Sequence, residues 1–208
     1  MTEKEYLQDP CGVSSLPYWK TEKSLITPGV TVVREDGFRA DNYAGTDERY
    51  FKAVHALVRF PRPDLPPGCN VVSCGADEAA RHINVCYSSG AVTLKEMRAY
   101  ARRPVYDPGL WIAVRDESGI IASGIAERDD RIGEGILEWV QVSPDHRRGG
   151  LGRFVVCELL RRLKGRAAFV TVSGRLDDPN EPLRMYRSCG FRDPVVWHVI
   201  RGGQNGAG

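Results

Sequence analysis

The chain has 208 residues, 42% of them apolar, enough to bury one sizeable core and too little for two comfortable domains. Its formal net charge of +2, from 29 basic and 27 acidic residues, gives no bulk attraction to nucleic acid or anionic membrane. The opening MTEKEYLQDPC lacks an apolar signal core and the longest apolar runs fall short of a bilayer, so the expectation is a cytoplasmic protein with neither partner.

Residues 1–29 carry aromatics and prolines without a period and read as an irregular arm laid on the body, which takes residues 30–208. Tyr18 and Trp19 of the arm, with Phe51, are candidates to line an aromatic pocket, although aromatics at such spacing are more often core. VTVVRE, residues 30–35, reads as a strand. DERYFKAVHALVRF, residues 47–60, places Phe51, Val54, Leu57 and Val58 at helical spacing and is predicted as a helix stopped by PRPDLPPG. Helices follow over 76–87 and 93–102, the second opened by a Thr93/Glu96 capping box.

LWIAVRDESGIIASGIAE is two β-rich runs around a turn at residues 116–119, and ILEWVQV, residues 136–142, makes a third consecutive antiparallel strand. FVVCELLRRLKG then carries Val155, Val156, Leu159, Leu160 and Leu163 as one apolar stripe, and AAFVTV is a short strand. Strand, helix and strand form a crossover unit with parallel strands expected. Asn180-Glu181-Pro182 opens a last helix closed by Gly190, and PVVWHVIRG is a terminal strand.

Six cysteines, Cys11, Cys69, Cys74, Cys86, Cys157 and Cys189, read as thiols, with Cys157 on the inner face of its helix. Cys69, Cys74, His82 and Cys86 do not match a tight zinc spacing, so the reading is buried thiols, a surface histidine and no metal.

SPDHRRGGLGRF, residues 143–154, concentrates glycines where a strand ends and a helix begins. Unpaired first-turn amides and the helix dipole attract anions there, and Gly150 and Gly152 let a ligand approach the main chain. Arg147, Arg148 and Arg153 can neutralise phosphate oxygens, so a diphosphate is the natural guest. Neither the triphosphate-loop pattern nor the dinucleotide-fold glycine pattern is present.

Arg147-Arg148-Gly149-Gly150-Leu151-Gly152, preceded by VQVSP and followed downstream by NEPLRMYRSCGF, resembles the acetyl-CoA motif of the GCN5-related N-acetyltransferases (GNAT). The resemblance implies an α/β (α+β) fold, with a mixed, mostly antiparallel central sheet splayed between the family's fourth and fifth strands and flanked by helices. It also implies acetyl-CoA as cofactor, its pantetheine arm pairing with the backbone of Val140, Gln141 and Val142 like an added strand. Its diphosphate would lie on the amides of Arg148, Gly149, Gly150, Leu151, Gly152 and Arg153. Asn180 matches a cofactor-contacting asparagine with a one-residue offset, and an N-cap role accounts for it equally well.

By the same resemblance, Tyr186 is the proton donor to the leaving thiolate. Glu138 is the candidate base, because period-2 alternation sets it on the strand face of Val140 and Val142, where a cleft would raise its pKa. Glu127 is the reserve and His198 a weaker candidate. The implied activity is N-acetyl transfer to a primary amine of a small molecule or protein, in a chain that leaves room for a homodimer. The alternative is a non-catalytic acyl-CoA-binding module of the same fold.

Overall fold

The computed structural model describes residues 2–12, 29–87 and 90–202. Its helices are α1 (Glu3–Gln8), α2 (Ala76–Cys86), α3 (Leu94–Tyr100), α4 (Leu151–Leu163) and α5 (Pro182–Ser188). Its strands are β1 (Val30–Arg34), β2 (Thr46–His55), β3 (Asn70–Ser73), β4 (Trp111–Asp116), β5 (Gly119–Asp129), β6 (Glu134–Val142), β7 (Phe169–Arg175) and β8 (Arg192–Arg201). The eight strands form a mixed, mostly antiparallel sheet in the order β1-β8-β2-β7-β6-β5-β4-β3. The chain divides into two compact units, one of Met1–Val54, Thr171–Arg184 and Phe191–Gly208, the other of His55–Val170 and Met185–Gly190.

In the first unit, β8 pairs antiparallel with both β1 and β2. Residues 47–60, expected as a helix, instead supply most of β2. Phe51, Ala53 and His55 are buried at alternate positions, and the ladder to β8 runs from Thr46 opposite Arg201 to Val54 opposite Arg192. The apolar spacing fits both periods, and pairing with a long neighbouring strand overrides the helical one. The arm begins with α1, capped reciprocally by Thr2 and Glu5, whose Tyr6 is fully buried and accepts a hydrogen bond from Lys52 Nζ at 3.1 Å. Phe51 is core, packed where Gly174 leaves no room for a Cβ. Tyr18 and Trp19 lie outside the described residues.

In the second unit, β3, β4, β5 and β6 form an antiparallel run. β3, between PRPDLPPG and α2, is a strand that the sequence analysis does not predict. Ile125 faces one way, into a cluster with Ala79, Ile83 and Met97 of α2 and α3. Its neighbour Gly124 faces the other way, where an added Cβ would stand 2.4 Å from Val155 Cγ1 of α4. Helices therefore cover both faces, and the close approach of α4 at Gly124 fixes where its N-terminus lies.

Candidate functional site

The site is built at the C-terminal end of β6. Ser143 N donates to Ile121 O at 2.9 Å, and Gln141 stands opposite Ser123 in the same register. Backbone polar groups alternate along an antiparallel strand, so those of Ser143 and Gln141 face β5 while those of Val140 and Val142 face the opposite edge. The two outward carbonyls are held by side chains: Val140 O accepts from Tyr87 Oη at 3.3 Å, and Val142 O accepts from Arg147 Nε at 3.2 Å.

Beyond β6 the chain makes a short turn over Pro144–His146 and enters α4 through Gly150, whose φ of +85° is a left-handed conformation that favours glycine. A Cβ at Gly150 would meet nothing within 4 Å, so the space over the helix entrance is open. Phe154 N donates to Gly150 O, which leaves the first-turn amides of Leu151, Gly152 and Arg153 at the helix mouth. Gly152 faces Val142, at 3.6 Å from an added Cβ. Arg148, itself at φ +66°, Gly149 and Arg153 are exposed, and neither arginine has a hydrogen-bond or ion-pair partner among the described residues.

Arg147 is placed differently from its neighbours. Besides Val142 O it donates through Nη2 to Cys86 O at 2.8 Å, tying the turn to β6 and to the end of α2. Its guanidinium is thus directed at backbone carbonyls, whereas Arg148 and Arg153 are the charges left for an anion.

The side chain of Gln141 points into the protein. Its amide donates to Ser123 Oγ, which lies 2.7 Å from His82 Nδ1, and His82 Nε2 lies 3.0 Å from Ser143 Oγ, whose hydroxyl donates to Ile120 O. Read in sequence, these bonds put a lone pair on Nδ1 and the proton on Nε2. Burial pushes the imidazole down to about 4, so the ring is neutral. His82 is therefore not the surface histidine expected from its sequence: it is 5% exposed and joins α2 to β5 and to the start of the turn after β6. Its partners lie 41 and 61 residues away, beyond any local sequence signal.

Tyr186, in the part of α5 that belongs to this unit, is buried, and burial, with Tyr87 and Cys189 nearby, raises its phenol above the ordinary value. Glu138 is the extra residue of a β-bulge, since Ile125 stands opposite Trp139 and Ala126 opposite Leu137. The simple alternation that groups it with Val140 and Val142 is broken there. Glu138 instead lies within electrostatic reach of Tyr100. Glu127 is 2% exposed and accepts from Arg103 Nη1 at 3.0 Å, a paired carboxylate.

Two other named residues belong to the first unit. Asn180 donates its backbone and side-chain nitrogens to Asp178 Oδ1, both at 2.8 Å, and α5 starts two residues later at Pro182, so Asn180 is not its N-cap. His198 is buried, 2.8 Å from Asp47 Oδ2 through Nδ1 and stacked on Phe38 at 3.7 Å.

Outward carbonyls at the end of a strand, followed by a glycine turn into a helix N-terminus, are groups that can take an extended chain and an anion. Residues 107–193 match the family model described as the acetyltransferase (GNAT) domain. A mycothiol acetyltransferase from Thermomonospora curvata is 38% identical over 104 residues, which are 49% of this chain and 34% of that protein. A GCN5-related N-acetyltransferase from Sphaerobacter thermophilus has the same fold, with a TM-score of 0.61 at 17% identity over 76% of this chain and 53% of its own. A tandem GNAT protein of the clavulanic acid biosynthesis pathway gives 0.55 at 15% identity over 79% and 56%. The chain thus spans about a third of the curated relative and about half of these solved chains. The likeness to the GNAT family rests on residues 107–193 and on the shared fold.

Proposed function

We propose that this chain is an acyl-CoA-dependent N-acetyltransferase that moves acetyl from acetyl-CoA to a primary amine. The observation that carries the reading is the pairing of an outward-facing edge at Val140 and Val142 with an open, glycine-lined helix mouth at Gly150, Leu151 and Gly152. Extended amide chains dock on such an edge as an added strand, and diphosphates dock on such a mouth.

The residues present fit the cofactor. The amides from Arg148 to Arg153 would hold the diphosphate, Arg148 and Arg153 would balance its charge, and the carbonyls of Val140 and Val142 would meet the amides of the pantetheine arm. Acetyl-CoA supplies the activated thioester. Tyr186, kept protonated by burial, is the donor for a departing thiolate. Glu138 is the carboxylate we assign to drawing a proton from the acceptor ammonium.

The test is calorimetric titration of CoA and acetyl-CoA into the purified chain, followed by a thiol-release assay against a panel of primary amines. Binding followed by amine-dependent thiol release is the expected result. Failure of both thioester and free thiol to bind at millimolar concentration overturns the reading.

A further inference from the structure

The carbonyl that an acyl-CoA arm would use on β6 is engaged by Tyr87, a residue outside the span that matches the family model. Tyr87 directly follows the last residue of α2 and caps it, donating its backbone N–H to Ile83 O. Its ring stands edge-on to Trp139 at 5.7 Å, and 51% of the residue is exposed. The hydroxyl therefore reaches the strand edge from solvent, over a ring pinned at its base.

Two features make the contact a displaceable one. At 3.3 Å it is longer than an ordinary hydroxyl hydrogen bond, so little is lost when it opens, and a half-exposed phenol finds water as a replacement partner. The companion contact is sturdier: Arg147 holds both Val142 O and Cys86 O, so the end of α2 stays anchored while the Tyr87 hydroxyl moves. Tyr87 also lies close enough to Tyr186 to affect its phenol, which sets this contact beside the group assigned to the leaving thiol.

We propose that Tyr87 is a displaceable latch on the β6 edge, holding the Val140 carbonyl in the free protein and yielding it to an amide N–H of the pantetheine arm. The proposal rests on the acetyl-CoA reading above. In the free protein the latch keeps the Val140 carbonyl satisfied. On binding, the arm replaces one hydroxyl donor with one amide donor, so the edge loses no hydrogen bond. The competition lowers affinity for any ligand that carries the arm and leaves a ligand without it untouched.

Calorimetry on the full chain and on Tyr87→Phe tests this, with CoA and with 3′-phospho-ADP, which is CoA without its pantetheine arm. The variant removes one half-exposed hydroxyl and keeps the ring on Trp139. The expected result is CoA affinity tightened about two- to five-fold, the weight of one weak neutral hydrogen bond, with 3′-phospho-ADP unchanged. Unchanged or weakened CoA binding in Tyr87→Phe overturns the latch while the acetyl-CoA reading stands. Equal tightening of both ligands overturns it too, since the effect would then not run through the arm. If the unaltered chain binds neither ligand, the acetyl-CoA reading and the latch fall together.

Discussion

His82 Nδ1 lies 2.7 Å from the hydroxyl of Ser123, and its Nε2 lies 3.0 Å from that of Ser143, which donates to Ile120 O, so a neutral ring that donates at Nε2 is an acceptor at Nδ1. A second proton there would face a hydroxyl already turned toward it, inside a protein where burial alone disfavours the charge. The folded value, about 4, is below the ordinary 6.5, so between those limits the unfolded chain binds the extra proton. The contribution is complete above about pH 6.5 and is lost as pH falls toward 4, on the order of 3 kcal/mol at the limit. Urea unfolding at pH 7 and pH 4.5 should show the loss. His82→Gln should be less stable at pH 7 but decline less steeply over that window, and an equally steep decline would contradict the assignment.

Gly124 sets the distance between β5 and α4. Gly124→Ala would put a methyl 2.4 Å from Val155 Cγ1 and 2.9 Å from Leu159 Cδ1, both in fully buried residues. Overpacking of this kind costs about 1–3 kcal/mol. A thermal unfolding scan should register a lower midpoint, whereas no change would mean that α4 slides at negligible cost.

At Gly150 the expected outcome separates folding from binding. The position has open space but a positive φ, and aspartate tolerates that region better than most residues, so Gly150→Asp should fold with about 1 kcal/mol of lost stability. Its carboxylate would stand where the diphosphate is expected and repel it. Calorimetry should show a folded variant with CoA binding lost. Retained affinity would move the diphosphate elsewhere.

The elements that the sequence made legible are those whose signals are local. The turn at residues 116–119 announces the β4–β5 hairpin, Thr93 and Glu96 announce α3, and the glycines around Gly150 announce a helix entrance. What escaped depends on partners distant in the chain. β2 reads as a helix until β8, well over a hundred residues later, supplies its ladder. The bulge at Glu138 is invisible because it is a property of two strands in register, and no residue type marks it. Tyr87 and Arg147 escaped for the same reason. A tyrosine just past a helix carries no signal, and an arginine in a basic turn reads as a phosphate partner, until the carbonyls they hold, Val140 and Cys86, are placed beside them.

Arg147 and Arg148 are adjacent in sequence and opposite in expected effect. Arg147 donates to two backbone carbonyls, so Arg147→Met should lower stability by about 1 kcal/mol and leave CoA affinity no weaker than before. Arg148 is exposed, with no ion-pair partner among the described residues, and faces outward from the turn. Arg148→Met should keep stability within about 0.5 kcal/mol, weaken CoA and flatten the salt dependence of binding. Titrations at low and high salt on both variants decide it. If Arg147→Met is the one that loses salt dependence, the roles given to the pair are reversed.

Tyr186 is buried, and its phenol is raised by that burial first and by Tyr87 and Cys189 after it. A raised phenol stays protonated through neutral and mildly alkaline pH, so it can donate to a departing thiolate without first being recharged. A phenol that merely packs against the cofactor would matter for affinity rather than turnover. Tyr186→Phe keeps the ring and removes the proton, so turnover with acetyl-CoA and a competent amine should fall about 10- to 100-fold while CoA affinity stays within about two-fold. A loss confined to affinity would make the residue part of the binding surface, and the donor would then have to be sought among the groups near enough to affect it, with Tyr87, a half-exposed residue, first among them.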